Sequence, residues 1–533
     1  MTRLFRKTAT LLPALLLLSH FPNVSYAQKA KTHVLTMDEA KMVKRDAGTM
    51  FAAGDYNGAL KAYKDLVKSD AKNVDYNYKL GYCYLQTNTD KKASLSYLEF
   101  ATKAKEAKKE WMFYLGQAYM FNEKWDDAIA AFNDFKDSKQ KPIKDQPAVE
   151  RMIEYCNNAK ELTAKPINCT YTNLGKVINT VYEEYNPFIS ADGKLLVFTS
   201  RRKGNVGGFI EDLGIYTADI YTTIWKDTIW AKPKGLGGMV NTEWDEESVG
   251  LSPDGDLILI YFDNGESYAD IGGSSLKGKM WQKPMMMPEQ VNSKNYEGGA
   301  TMSLDGRTVI FSSTKKEGYG ETDLYMVHKE KNGEWTAPVN LGTNINTKYA
   351  EESPCLSIDG KTLFFASKGW NSMGGFDIFY STYDDASNSW SKPVNFGYPI
   401  NDADDNQFIS FTGDMRSAYV AAIRPEGLGD QDIYKVDFPD ESHHSYKSFM
   451  TGSLTSTGGK IELTKAYLEN KTNGSSIEYI PSISNNSFIF PANPGTYNLH
   501  IEGYNFEPYN EEVIIEAGPA KEIVHNVQVK SAK

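Results

Sequence analysis

Ser252-Pro253-Asp254-Gly255-Asp256-Leu257-Ile258-Leu259-Ile260-Tyr261 joins a tight-turn signal to an apolar strand, and the chain repeats that unit. Asp-Gly closes a turn because glycine accepts positive φ and aspartate bonds its own backbone. The unit returns as Ser190-Ala191-Asp192-Gly193 before Leu195 to Phe198, as Ser303-Leu304-Asp305-Gly306 and as Ser357-Ile358-Asp359-Gly360, with a degraded copy at Thr412-Gly413-Asp414-Met415. These aspartates read as turn formers, not as catalytic or metal-binding groups. A second marker follows each turn strand: Asp219-Ile220, Asp270-Ile271, Asp323-Leu324, Asp377-Ile378 and Asp432-Ile433. A third is Trp then Pro, at Trp230/Pro233, Trp281/Pro284, Trp335/Pro338 and Trp390/Pro393. It leads into Val240-Asn241, Val291-Asn292, Ile345-Asn346 and Ile400-Asn401. Units of about 50 to 60 residues with several short strands each are the signature of propeller blades.

The two ends of this segment complement each other. Tyr171-Thr172-Asn173-Leu174-Gly175, Ile178-Asn179-Thr180 and Glu183-Glu184 repeat the end-of-blade pattern Val339-Asn340-Leu341-Gly342, Ile345-Asn346-Thr347 and Glu351-Glu352. The segment therefore opens with a blade's last strand, and it stops after Asp432-Ile433-Tyr434-Lys435-Val436 without one. Completing one blade from both ends leaves no open edge. Five turn units predict five blades over 166–440, or six if 201–230 hides further strands.

Upstream the period is helical. Gly54-Asp55-Tyr56 precedes Ala59, Leu60 and Tyr63, and the frame returns as Leu80, Gly81, Tyr84, Ala93 and Tyr97, then as Leu115, Gly116, Tyr119, Ala128 and Phe132. Ala59, Ala93 and Ala128 stand 34 and 35 positions apart, which predicts three helix pairs and a closing helix over 148–162 within a domain spanning 28–165. Downstream, alternating strands at Lys460 to Leu463, Ala466 to Glu469, Ser487 to Phe490, Tyr497 to Glu502 and Glu512 to Ile515 predict a small antiparallel sandwich over 445–533. The expected fold class is multi-domain, α plus all-β.

Residues 1–27 carry Arg3, Arg6 and Lys7, an apolar run around Leu11, Leu12 and Leu15 to Leu18, and then Ser25-Tyr26-Ala27. This is the pattern of a secretory signal peptide cleaved after Ala27, giving a mature chain from Gln28. The run falls far short of the roughly 20 residues that span a bilayer, and no later segment comes close. The 58 basic and 69 acidic residues sum to −11, which gives no general pull toward nucleic acid or anionic lipid. Cys83, Cys156, Cys169 and Cys355 lack the paired short spacings of a zinc site, though Cys156 and Cys169 could pair in an oxidising compartment. The seven histidines show no metal-ligand spacing, and no nucleophile elbow, zinc-protease or phosphate-loop motif occurs. No cofactor, metal or enzymatic activity is expected. The sharpest acidic cluster, Asn401-Asp402-Ala403-Asp404-Asp405-Asn406, reads as a solvated loop.

The helical frame resembles the tetratricopeptide-repeat family, and the turn, Asp-Ile and Trp/Pro markers resemble the TolB-type, WD-repeat-like propellers. Phe488-Ile489-Phe490-Pro491-Ala492-Asn493-Pro494-Gly495-Thr496-Tyr497, followed by Gly503-Tyr504, resembles the carboxypeptidase regulatory-like domain, a transthyretin-like fold. In that order the three resemble the PorE-type envelope proteins associated with type IX secretion. Proteins of that type continue into an OmpA-like peptidoglycan-binding domain, whereas this sequence stops at Lys533, so no peptidoglycan-binding residues carry over. The resemblance implies an exported, periplasmic or outer-membrane-associated adaptor whose partners are other envelope proteins. A propeller that binds a glycan or other ligand, or one that acts as a hydrolase or lyase, are the alternatives. In the repeat family the first helix of each unit lines a groove at fixed offsets from the small residue that here is Gly81 or Gly116. Those offsets bring Tyr78, Tyr82, Leu85 and Gln86, then Phe113, Gln117, Met120 and Phe121, to the concave side. Such residue types are enriched at binding hot spots. The alternative is that some of them pack within the chain, against the propeller or the closing helix.

Overall fold

A capping box starts the first helix. The Thr36 side chain accepts the Glu39 N–H, and Glu39 accepts the Thr36 N–H at 2.8 Å. The computed structural model describes residues 36–531 apart from 209, 211–214, 264–268, 442 and 482–485, so the signal-peptide reading lies outside the described residues. Among the described residues seven α-helices precede the first strand: α1 (Met37–Ala53), α2 (Tyr56–Ser69), α3 (Val74–Leu85), α4 (Ser94–Thr102), α5 (Trp111–Phe121), α6 (Trp125–Asp137) and α7 (Val149–Thr163). Asp55 and Asn73 cap α2 and α3 through their side chains. The two repeat glycines sit where paired helices touch. A Cβ on Gly81 would lie 2.7 Å from Leu98, and one on Gly116 would lie 2.5 Å from the Phe132 ring. Only glycine permits that approach.

The strands between 170 and 437 form five sheets, each running outward from its first strand. Sheet I holds Glu184–Ile189, Leu195–Ser200, Asp219–Lys226 and the short outer strands Ile229–Trp230 and Lys234–Gly235. Sheet II begins at Asp245–Leu251, sheet III at Glu297–Met302 and sheet IV at Glu351–Leu356. Sheet V combines Ile409–Phe411, Ser417–Ala422 and Asp432–Asp437 with Thr170–Asn173 from the far end of the segment. There Tyr171 pairs with Val436 and Asn173 with Tyr434, antiparallel, in the register that Asn340 and Tyr325 keep in sheet III. Core clusters bridge I to II, II to III, III to IV, IV to V and V back to I, closing a ring with the first strands innermost.

The C-terminal strands form two four-stranded sheets around Met450, Leu463, Leu468, Phe490, Leu499 and Ile501. Two pairings depart from the antiparallel expectation: Phe449–Ser456 runs parallel to Glu522–Val524 and to Val527–Val529. The chain reaches those last strands only after crossing the other sheet, so it returns in the same direction as it left.

The flanking regions cover opposite ends of the ring. Each sheet turns from its first to its second strand through a Ser-x-Asp-Gly unit or its degraded copy, and the C-terminal sheets sit on these turns. Tyr479 donates to Asp254 at 2.7 Å, Lys447 pairs with Asp359 at 3.0 Å, and Arg416 reaches the Ala520 carbonyl at 3.1 Å. The helices meet the other end. Arg151, nearly fully buried, donates to the carbonyls of Lys368 and Gly369, and its guanidinium stacks 4.6 Å from the Tyr349 ring. Asn158 donates to Ser372 O at 2.9 Å, and Lys91 grips Asp404 at 2.6 Å. Asp402–Asn406 is therefore not a solvated loop but part of this junction, with Asp405 accepting the Phe376 N–H at 2.8 Å. All four cysteines are free, so Cys156 and Cys169 do not pair. Among the described residues no helix is long and apolar enough to cross a membrane.

Candidate functional site

Two regions gather functional side chains. On the helical face, Tyr78 and Tyr82 are half-buried and join an aromatic ladder. Ring centroids lie 5.2 Å apart for Phe51 and Tyr82 and 4.8 Å for Tyr82 and Tyr114, while Tyr78 stacks on Trp111 at 4.1 Å. Burial pushes the Tyr78 and Tyr82 phenols well up, so both stay neutral. Lys41, Lys44, Arg45 and Lys79 border a cleft at the α1 end, where Lys79 pairs with Asp75 at 3.1 Å.

The other residues read onto that groove are placed differently. Phe113 is 1 % exposed and packs edge-on against Phe132 and Phe135, at 5.4 and 5.5 Å, in the core between α5 and α6. Leu85 and Met120 are buried, and Phe121 is half-buried, in a cluster that takes in Met373 of sheet IV with Tyr398 and Ala403 packed against it. Gln117 donates to Gln146 at 2.8 Å, and Gln86 is half-buried at the C-terminal end of α3. The open part of the face is thus Tyr78, Tyr82 and their aromatic neighbours.

The second region lies on the ring axis, at the end nearer the helices, and the motif reading passed over it. Strand alternation splits each Glu-Glu pair between two faces. Glu184, Glu246, Glu297 and Glu351 point into the sheets and hold the preceding turns, as where Glu351 accepts from Thr347 N and from Ser367 Oγ at 2.8 and 2.6 Å. Their neighbours gather at the axis. Tyr185 donates to Glu247 at 2.9 Å, and Arg201 faces Asp245, Glu247 and Glu183 at 3.2, 3.5 and 3.9 Å. Glu352 accepts from Thr322 at 3.1 Å. Burial, then Asp430, pushes Glu183 up to about 7, and burial raises Glu247 and Glu352 as well. The Glu183-Glu184 and Glu351-Glu352 doublets were the available signal, since alternate residues on a first strand must face the axis. Among the described residues no three acidic, histidine or cysteine side chains have the geometry of a metal site.

A tetratricopeptide-repeat family model matches residues 51–93. No curated protein matches the chain. Among solved structures, TolB from Acinetobacter baumannii is similar at 12 % identity, over 56 % of this chain and 72 % of that one, with a TM-score of 0.31. An α-L-arabinofuranosidase from Lactobacillus brevis is similar at 11 % identity, over 51 % of this chain and 94 % of that one (TM-score 0.34). The type III secretion chaperone SycD of Yersinia enterocolitica, solved with a peptide of the translocator YopD, is similar at 14 % identity, over 24 % and 97 % (TM-score 0.19). The chain is thus an N-terminal tetratricopeptide-like helical region followed by a large β-rich region with TolB among its structural neighbours.

Proposed function

We propose that this protein is a non-enzymatic cell-envelope adaptor: exported, periplasmic, associated with the outer membrane and accessory to type IX secretion, as its resemblance to the PorE-type proteins suggests. In this reading the ring is a five-bladed TolB-type propeller, the C-terminal sheets are a transthyretin-like sandwich, and both are the platform for the helical docking face. The observation that carries it is the aromatic ladder of Tyr78, Tyr82 and Phe51, left half-open beside a basic cleft while the rest of the groove is closed by the chain itself. Large, stiff rings with polar tips supply contact area at small entropic cost. The axial acids favour a second reading, a ligand-binding propeller.

The docking face is tested by photo-crosslinking in intact cells. A p-benzoylphenylalanine placed at Tyr82 should capture envelope proteins, whereas one at Phe100, exposed on α4, should not. Truncating Tyr78 to alanine should weaken capture about thirtyfold, the equivalent of losing one aromatic anchor of about 2 kcal/mol. Equal capture from both positions would remove the groove from the mechanism.

A further inference from the structure

The outer hairpins of sheets I to IV occupy equivalent places, so the differences between them are informative. In each, the residue after a tryptophan closes the hairpin by donating its N–H to the third strand: Ala231 to Ile224 O at 3.0 Å, and Gln282 to Ser275 O, Thr336 to His328 O and Ser391 to Thr382 O, all at 2.9 Å. Residues 224–235 of sheet I hold Lys226, Lys232 and Lys234 with Asp227 as the one acid, and residues 277–286 of sheet II hold Lys277, Lys279 and Lys283 with none. The hairpin of sheet III balances Lys329 and Lys331 with Glu330 and Glu334, and that of sheet IV sets Asp384 and Asp385 against Lys392. All six lysines of sheets I and II are exposed, and among the described residues none of them has an ion-pair partner. In a chain of net charge −11 this is a local reversal of sign.

Apolar exposure divides the sheets in the same way. Ile229 is 67 % exposed, Met280 64 % and Met285 79 %, and Ile224, Trp225 and Met286 are exposed with them. Among the described residues the hairpins of sheets III and IV expose one large apolar side chain each, Val339 and Val394, at the strand position that Met285 holds in sheet II.

Charged and apolar groups alternate along these tips. Ile229 stands opposite Lys226 and Met280 opposite Lys277 in the strand register, while Trp225 lies edge-on to buried Trp230 at 5.2 Å and keeps 40 % of its surface open. Trp281 is buried in the cluster that bridges sheets I and II, which anchors the second hairpin beside the first sheet. Surfaces that rest on lipid have this character. Apolar side chains enter the acyl boundary, tryptophan takes the interface, and lysine stems follow the apolar surface while their ammonium groups meet phosphate. A protein partner needs a continuous, shape-matched patch of about 800 Å². Hairpin tips on the outer circumference of a ring are separate projections, and a fluid bilayer takes them up one by one.

We propose that the outer hairpins of sheets I and II form a docking surface for an anionic phospholipid bilayer, with Trp225, Ile229, Met280 and Met285 entering the acyl boundary and the lysines meeting headgroup phosphates. This surface shares no residue with the helical docking face, so the two readings stand or fall separately.

The test is co-flotation of the full chain with vesicles of equal parts phosphatidylglycerol and phosphatidylethanolamine, beside vesicles of phosphatidylcholine. Binding to the anionic vesicles should be tighter by about tenfold or more and should fade as salt rises from about 0.1 M to about 0.5 M. Lys226→Gln with Lys277→Gln should weaken it about 25-fold, since one lysine near an anionic surface is worth about fivefold. Ile229→Ser with Met280→Ser should weaken it about tenfold, through lost insertion. The matched changes on sheet III, Lys331→Gln with Val339→Ser, should leave binding unchanged, and the melting curve of each variant reports its fold. Brominated acyl chains should quench the protein's fluorescence, and Trp225→Phe should remove most of that quenching. Flotation that ignores both pairs of changes in folded protein overturns the proposal. So does an absence of flotation with the anionic vesicles, in which case capture of an acidic protein by p-benzoylphenylalanine at Ile229 would assign the surface to a protein partner instead.

Discussion

One asparagine per sheet does the work of a hydrogen-bonding clamp. Asn346 accepts the Leu324 N–H at 2.8 Å and returns its own N–H to the Leu324 carbonyl at 3.0 Å. Asn241 treats Ile220 in the same way, as do Asn292 with Ile271, Asn401 with Ile378 and Asn179 with Ile433. Each clamp ties the connector after a sheet back to that sheet's third strand. Asn346→Ala would leave the buried Leu324 N–H unpaired, at about 1–3 kcal/mol for the unsatisfied group, while the Leu324 carbonyl keeps the Leu341 N–H at 3.0 Å. A loss of about 1–3 kcal/mol in urea unfolding is expected, with a smaller loss for the half-buried Asn292→Ala; no difference from wild type would show that water replaces the amide. The Val-Asn and Ile-Asn dipeptides were legible in the sequence as markers because they recur, but their role was not. A two-sided bond to a strand 22 residues earlier, or 254 later for Asn179, leaves no local pattern. The turns were more legible, because their chemistry lies within a few residues. Gly193, Gly255, Gly306 and Gly360 all take positive φ, and in the degraded copy Met415 adopts the same conformation at 59°.

At the scale of elements, the junction of α7 with sheet IV decides whether helices and ring move together. Arg151 is the centre of it: its guanidinium lies between the Tyr155 and Tyr349 rings at 4.4 and 4.6 Å, pairs with Glu154 and bonds backbone carbonyls of the sheet IV loop. Arg151→Leu would keep much of the packing and remove the guanidinium's bonds to those carbonyls. Hydrogen exchange should then rise in α7 and in residues 368–373 while the Thr170–Asn173 strand keeps its protection. Faster exchange throughout the ring would mean that the junction supports the fold and is more than a hinge. The sequence missed this junction for a physical reason. Asp402 to Asp405 look like a charged loop because their partner, Lys91, lies 313 residues away, and charge runs are solvated only when nothing distant pairs with them. The groove residues divide on the same ground. Offsets from Gly81 and Gly116 locate a helix face, yet they do not say which part of that face the ring claims, so Met120 and Phe121 are enclosed near Met373 while Tyr82 stays half-open.

For the whole molecule, the ring is capped at both ends and several of its acids are raised by burial, which makes its stability depend on pH near neutrality. Burial raises Glu183, Glu246 and Glu351 to about 7 and Asp377 to about 8. A carboxyl whose folded pKa lies above its unfolded value binds protons better in the native state. Its contribution is therefore fully present below about pH 4 and is lost as pH rises through the folded value. The ring should melt lower at pH 8.5 than at pH 6.5, by about 2–4 °C for each kcal/mol lost. That window avoids the opposite effect of His444, whose buried ring is pushed below its ordinary value and is destabilising once protonated in more acidic solution. Glu183 faces Arg201, Asp430 and Glu247, so neutralising it removes repulsion from two carboxylates at the loss of one weak pair at 3.9 Å. Glu183→Gln should accordingly raise the melting temperature at pH 8.5 more than at pH 6.5 and flatten the dependence. An equal shift at both pH values would place the titration elsewhere, in Glu246, Glu351 or Asp377 within the sheets.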